Sequence, residues 1–267
     1  MIQLPGFEAR DKARVAFEAL LNQALSIPGS FDYAFDSLNT ISILYPEDRK
    51  FRILTWQLCV NSDDFKYYGL IQMNQPELKS FPLVDQSEQV TIPEKEILNP
   101  EKWYGALYYN IYQVEHKKST YYLLFGFDAN NLYIRKKLID VLKFENDQPS
   151  FGAPVFVFEE ENKPTKTLNR FILGYGSHST IRLNYDEEHG KIMYDHLIPI
   201  GSLYEEQGVI MVPDGSYSAL ELKKGIWHHV EKVFHQTQEE PPRPNPILDQ
   251  RKGKGILGQD GNGDDTP

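Results

Sequence analysis

Hydrophobic positions along this chain change period once. From Glu8 to Leu25 they fall at Ala13, Ala16, Phe17, Leu20, Leu21, Ala24 and Leu25. That is the i, i+3, i+4, i+7 stripe of an amphipathic helix, and Pro28-Gly29 stops it. The stripe needs a cover. The sheet that follows is the first candidate, and a partner helix in an oligomer is the second. From Thr40 onward the period is two, in runs such as FRILTWQLCV, FKYYGLIQMN, KKLIDVLKFEN, FILGYG and KIMYDHLIP, which predicts β-strands.

The stretch Trp103–Asp128 has the strongest pattern. Two aromatic runs, WYGALYYNIYQVE and TYYLLFGFD, flank a short basic break, the mark of an antiparallel hairpin. Period two groups Trp103 with Tyr109 and Tyr104 with Tyr108, on opposite faces. A short strand is expected at Leu78 to Val84. KKLIDVLKFEN and APVFVFEEE are expected to pair across a turn at Asn146–Pro149. LNRFILGYG, STIRLNYD and KIMYDHLIP are expected to form a meander that turns at Asp186–Gly190. The expected fold is mainly β: an antiparallel meander, β-sandwich-like or propeller-like, with one N-terminal amphipathic helix. Residues 1–30 form the helical segment that packs on the sheet, and 31–235 form a single all-β domain. Residues 236–267 are rich in Pro and Gly and read as a disordered tail.

Composition narrows the partners. Net charge is −10 and the isoelectric point is about 5.2. A nucleic-acid binder needs a basic stripe to displace phosphate counterions, and Arg135-Lys136-Lys137 is among the short basic clusters that stand in for one. Nucleic acid and anionic membrane are therefore disfavoured. A single cysteine, Cys59, rules out an intrachain disulfide. No run reaches the roughly 18 apolar residues of a membrane span, and Met1 leads into LPGFEARDKAR without an apolar leader. Taken as written, the chain is expected to be soluble.

Chemistry-bearing motifs are sparse. Asp260–Asp264 matches only the first half of a calcium loop. Tyr185–Gly190 holds carboxylates and an imidazole, but its composition is that of a hairpin tip. His228-His229 are neighbours that point to opposite faces of a strand, a poor chelate. Gly174–Ser179 lacks the nucleophile-elbow pattern. No metal site and no cofactor are expected. If the protein is an enzyme, the catalytic candidates are Asp128, Asp195 and His196, with Asp140 and Glu145 as further carboxylates to inspect. Asp195 and His196 cannot act as an adjacent pair on a regular strand without a bulge. Trp103, Tyr104, Tyr108 and Tyr109 are the ligand-binding candidates, since exposed aromatics stack on sugars or hold apolar ligands.

The segments FRILTWQL…YYGLIQMN, WYGALYYNI, YYLLFGFDANN, KLIDVLKF…FGAPVF and YDHLIP…VPDGSYSAL together resemble an uncharacterised protein family of Bacteroidetes-type bacteria, across about residues 31–230. The resemblance carries no activity or site residue. It implies that members are exported, with a signal peptide ahead of a longer helical lead-in. On that pattern Met1 is not the true start and the protein is periplasmic or surface-exposed; otherwise it is cytoplasmic. The leading expectation is a non-enzymatic binding or structural protein of the bacterial envelope, with a saccharide or protein partner. The alternative is a hydrolase of a polysaccharide or peptide that draws carboxylates or a histidine from separate strands.

Overall fold

Helix α1 spans Phe7–Leu25. A computed structural model describes it together with the rest of residues 6–61, 64–117, 119–159, 163–201 and 208–234. The tail from residue 236, with its Asp260–Asp264 motif, lies outside the described residues. The helix ends where the Ser26 N–H reaches back to the Asn22 carbonyl. Along α1 only Leu21 and Leu25 are buried. They meet Leu54, Trp56 and Leu70, with Phe17 partly buried beside them. Val15 and Leu20 face outward.

Fifteen strands follow among the described residues. They are β1 (Ser42–Leu44), β2 (Phe51–Cys59), β3 (Phe65–Met73), β4 (Ser80–Val84), β5 (Leu107–His116), β6 (Ser119–Asp128), β7 (Ile134–Glu145) and β8 (Gln148–Phe151), then β9 (Phe156–Phe158), β10 (Lys166–Leu168), β11 (Phe171–Gly176), β12 (Leu183–Asp186), β13 (Lys191–Gly201), β14 (Val209–Lys223) and β15 (Ile226–Phe234). They form three sheets. The first has the order β1-β2-β3-β4, the second β11-β7-β6-β5 with β8 also on β7, and the third β10-β9-β15-β14-β13-β12. Every pairing is antiparallel except β15 with β9.

Alternation along β6 shows how the sheets stack. Tyr122 and Leu124 join Phe51 and Ile53 of the first sheet in one core. Tyr121, Leu123 and Phe125 join Ile192, Leu220 and Trp227 of the third sheet in another. The second sheet is therefore buried on both faces, and β6 is an unbroken apolar run because neither face meets water. The first sheet has its own second cover. Even-numbered residues of β2 turn away from the second sheet, and there α1 packs on Leu54 and Trp56. On that same side the fully buried Arg52 donates to the carbonyls of Ser30 and Tyr33, to Tyr45 Oη and to Gln72 Oε1, each at 2.8 Å. It ties the 30–45 segment to the sheet.

The structure is mainly antiparallel β with one N-terminal helix, and several local expectations are corrected. The strand expected at Leu78 begins at Ser80. The Trp103 hairpin begins its first strand only at Leu107, and the register slips between Tyr108 and Asn110. Trp103 therefore associates with Tyr108, donating from Nε1 to its hydroxyl at 2.8 Å, and not with Tyr109. The extra residue at the bulge breaks the period-two phase. Asn146 and Asp147 both take positive φ in a two-residue turn that pairs β7 with β8. APVFVF goes elsewhere, placing β9 in the third sheet. β11 leaves its expected meander for β7.

One ion pair is sealed inside. Arg170 Nη2 lies 3.0 Å from Asp140 Oδ1, and both side chains are 0% exposed. Asp140 also accepts from Tyr108 Oη at 3.3 Å and from the Val141 N–H at 2.9 Å. Arg170 donates to the Pro93 carbonyl and, at 3.4 Å, to that of Phe151. Removing one charge strands the other without solvent. Asp140→Leu is expected to cost about 3–5 kcal/mol in denaturant unfolding, and adding Arg170→Met is expected to restore most of that loss. A single-variant loss below about 1 kcal/mol, the range of exposed pairs, would contradict this.

Candidate functional site

A cleft of about 880 Å³ opens where β4 ends and β3 runs on past it. Helix α1 forms one wall through Arg14, Glu18 and Leu21. The loop after β4 forms another, and Tyr104, Asp128 and Lys136 line the cleft as well. The Asp85–Ala106 connection crosses from the first sheet to the second and supplies two of these parts. Asp85 organises its start. Its carboxylate accepts from the N–H groups of Tyr67 and Ser87 at 3.0 Å, from Gly105 N–H at 3.3 Å, and from the Ser87 hydroxyl. Position 105 must be glycine, because a Cβ there would sit 2.4 Å from Asp85 Cγ.

Asp128 closes β6 and is 6% exposed. Tyr67 Oη and Tyr104 Oη each donate to it at 3.3 Å, and the Asn130 N–H donates at 2.8 Å. Asn130 adopts positive φ, which asparagine tolerates better than most residues, and so turns its N–H back. Lys136 Nζ lies 3.7 Å from the carboxylate and donates to Tyr104 Oη at 3.1 Å. Tyr67 Oη in turn accepts from the Ala129 N–H at 2.7 Å. Burial raises the Asp128 carboxyl above its ordinary value and outweighs Lys136 and the donors. Burial, then the Asp128 charge, pushes both tyrosine hydroxyls well up.

The α1 wall is also internally matched. Arg14 bonds Asp11 at 2.7 Å and Glu18 at 2.6 Å, and its guanidinium sits 4.6 Å over the Tyr68 ring. Tyr68 stacks on Trp56 at 6.1 Å, and Phe17 meets Trp56 edge-on at 5.5 Å. Trp56 lines the cleft, and its buried Nε1 has no acceptor among the described residues. Leaving such a donor unpaired costs about 1–3 kcal/mol.

Of the residues expected from sequence, Asp128 and Tyr104 meet in the cleft. Trp103 and Tyr108 are fully buried and bond each other. Tyr109 lies at the bulge, 36% exposed, with its hydroxyl on the Leu183 carbonyl at 2.6 Å. Asp140 is spent on Arg170, and Glu145 is exposed beside the β7–β8 turn. Asp195 and His196 belong to the third sheet and do not line the cleft. A bulge does fall at His196, yet each residue finds another partner: Asp195 accepts from the Arg182 N–H, and His196 Nδ1 lies 3.0 Å from Asp214 Oδ2. Sequence reasoning missed Tyr67, Lys136 and Asp85. Tyr67 stands 61 residues from Asp128, and no local spacing announces that meeting.

Among the described residues no group of three or more His, Cys, Asp or Glu side chains could hold a metal, and no helix is long and apolar enough to cross a membrane. No protein-family model, curated protein or solved structure matches the chain.

Two titrations follow. The Asp128 carboxyl carbon is expected to titrate by NMR with a midpoint above 3.8. Since the folded carboxyl holds its proton longer than the unfolded one, this group costs stability as pH rises from 3.8 through the folded midpoint. A midpoint at or below 3.8 would mean that Lys136 and the hydroxyls outweigh burial. Asp214 runs the other way. Hydrogen bonds from the Ser216 hydroxyl and N–H, then His196, hold it down to about 2. Its small stabilisation, present above 3.8, is expected to fade as pH falls toward about 2 and to be absent in Asp214→Asn.

Proposed function

We propose that this is a non-enzymatic binding protein whose ligand site is the cleft between α1 and the end of the first sheet. One observation carries the reading: five of the charged groups that line the cleft are already matched within the protein. Lys136 faces Asp128, Arg14 faces Glu18, and Asp85 is filled by N–H and O–H donors. Groups held this way make a rigid recognition surface and leave little free for proton transfer. An envelope setting rests on the family resemblance, whose members are exported.

The hydrolase reading keeps one supporting observation, the raised carboxyl of Asp128 in a concave site. Both oxygens of Asp85 are engaged, and no histidine is among the residues that line the cleft.

A thermal-shift screen of the full chain against soluble metabolites and short saccharides separates the two. A ligand of this site raises Tm, and the rise grows with the logarithm of its concentration once that exceeds Kd. Val84→Trp, which narrows the rim at an exposed position, should abolish that rise and leave the unliganded Tm within about 2 °C, as surface changes usually do. A Tm rise that survives Val84→Trp places the site elsewhere. Turnover of a glycoside or peptide that disappears in Asp128→Asn establishes the hydrolase instead.

A further inference from the structure

We propose that the cleft takes a small organic polyamine, drawn by carboxylates that no cation of the protein neutralises. The inference rests on the binding reading above and names a ligand class for it. Charge balance, the use of the aromatic rings and the spread of the acidic groups lead to it.

The charge balance is negative. Five carboxylates line the cleft against three cations. Two of the cations are committed. Lys136 faces Asp128, and Arg14 is shared between Glu18 and Asp11. The third, Lys66, turns its Nζ to within 5.9 Å of the centre of the Phe7 ring. Asp85 accepts only from uncharged donors, namely three N–H groups and the Ser87 hydroxyl, so its charge is held in place and not cancelled. Asp64 and Glu88 line the cleft outside any ion pair among the described residues. With every group ionised, the lining carries an excess of two negative charges. The formal net charge of −10 adds to the attraction for a cation.

Cations of the protein already lie on the rings of this cleft. The Arg14 guanidinium sits 4.6 Å over Tyr68, and Lys136 Nζ lies 5.8 Å from the centre of the Tyr104 ring. Ring faces attract ammonium groups through their quadrupole. Phe65 and Val84 add apolar lining for a methylene chain. Rings, apolar side chains and carboxylates together suit a ligand that alternates ammonium groups with methylenes.

The acidic groups are spread along the cleft. Among the described residues no three His, Cys, Asp or Glu side chains converge closely enough to hold a metal ion. A divalent ion needs several oxygens around one point. A chain with two or three ammonium groups can meet carboxylates one at a time, so the spread favours the amine.

The test is isothermal titration of the full chain with spermidine, magnesium chloride, triethylene glycol and citrate. Spermidine should bind at least about tenfold more tightly than the other three, and salt should weaken it. Asp64→Asn with Glu88→Gln should weaken spermidine about three- to tenfold, the worth of two solvent-exposed charge contacts. Lys66→Gln, which deletes a like charge, should tighten it about two- to threefold. Glu187→Gln with Glu188→Gln makes the same change of charge on the β12–β13 turn, away from the cleft lining, and should leave the affinity as it was. No saturable binding of spermidine, or equal binding of magnesium, glycol or citrate, overturns the ligand class. So does an unchanged affinity in the folded Asp64/Glu88 variant, or an equal loss in the Glu187/Glu188 variant, which would mean unspecific attraction to an acidic protein. If another ligand binds and is lost in Val84→Trp, the cleft stands and the polyamine falls. Spermidine binding that survives Val84→Trp overturns both.

Discussion

A guanidinium and a carboxylate with no access to water organise the middle of this molecule. Arg170 precedes β11 and reaches Asp140 on β7, the Pro93 carbonyl in the long connection after β4, and the Phe151 carbonyl at the end of β8. Its guanidinium also lies 5.6 Å from the centre of the Tyr104 ring. Asp140 holds the Tyr108 hydroxyl, which holds Trp103. Two charges in a low-dielectric interior are tolerated only when their geometry and remaining hydrogen bonds are good. Every segment that supplies a bond to this pair is thereby fixed relative to the others. The 85–106 connection, which would otherwise be a long loop over an apolar core, is pinned through its carbonyls.

The cleft depends on that pinning. Tyr104 stands between the buried network and the open site: one side of its ring faces Arg170, and its hydroxyl meets Asp128 and Lys136. Asp85 sets the other end of the same connection by collecting N–H groups from β3, from its own turn and from Gly105. The space between α1 and the first sheet stays open because β4 stops at Val84 while β3 extends to Phe65. The helix is buried mainly through its last two turns. A fold built from three sheets thus leaves a polar concavity where a strand runs out, lined by aromatic groups and matched charges.

Much of the fold was legible. The α1 stripe, the strands around it and the hairpin tip at Asp186–Gly190 follow from periodicity and turn residues. β6 held more information than its period-two reading used. Six consecutive buried residues, Tyr121–Gly126, are what a strand covered on both faces requires, and the run TYYLLFGFD already displays them. The errors cluster where pattern and backbone part company. Four residues of WYGALYY precede the strand, and the bulge at Tyr109 shifts the phase, so the pairing of Trp103 with Tyr108 could not be read from alternation.

What the sequence determined by itself is the kind of structure: antiparallel β with one amphipathic helix, because side-chain alternation and helical periodicity are local properties of a chain in water. It also marked Asp128 and Tyr104 as residues to inspect. Tertiary structure alone decided that these two share a site with Tyr67 and Lys136, and that Trp103, Tyr108 and Asp140 serve the core. The same holds for Asp195 and His196, which take other partners. The physical reason is that burial and hydrogen-bond partnership are set by which sheets face each other. That stacking arises from contacts dozens of residues apart, such as Tyr67 with Asp128 and Arg170 with Pro93, and no local window of the chain contains them.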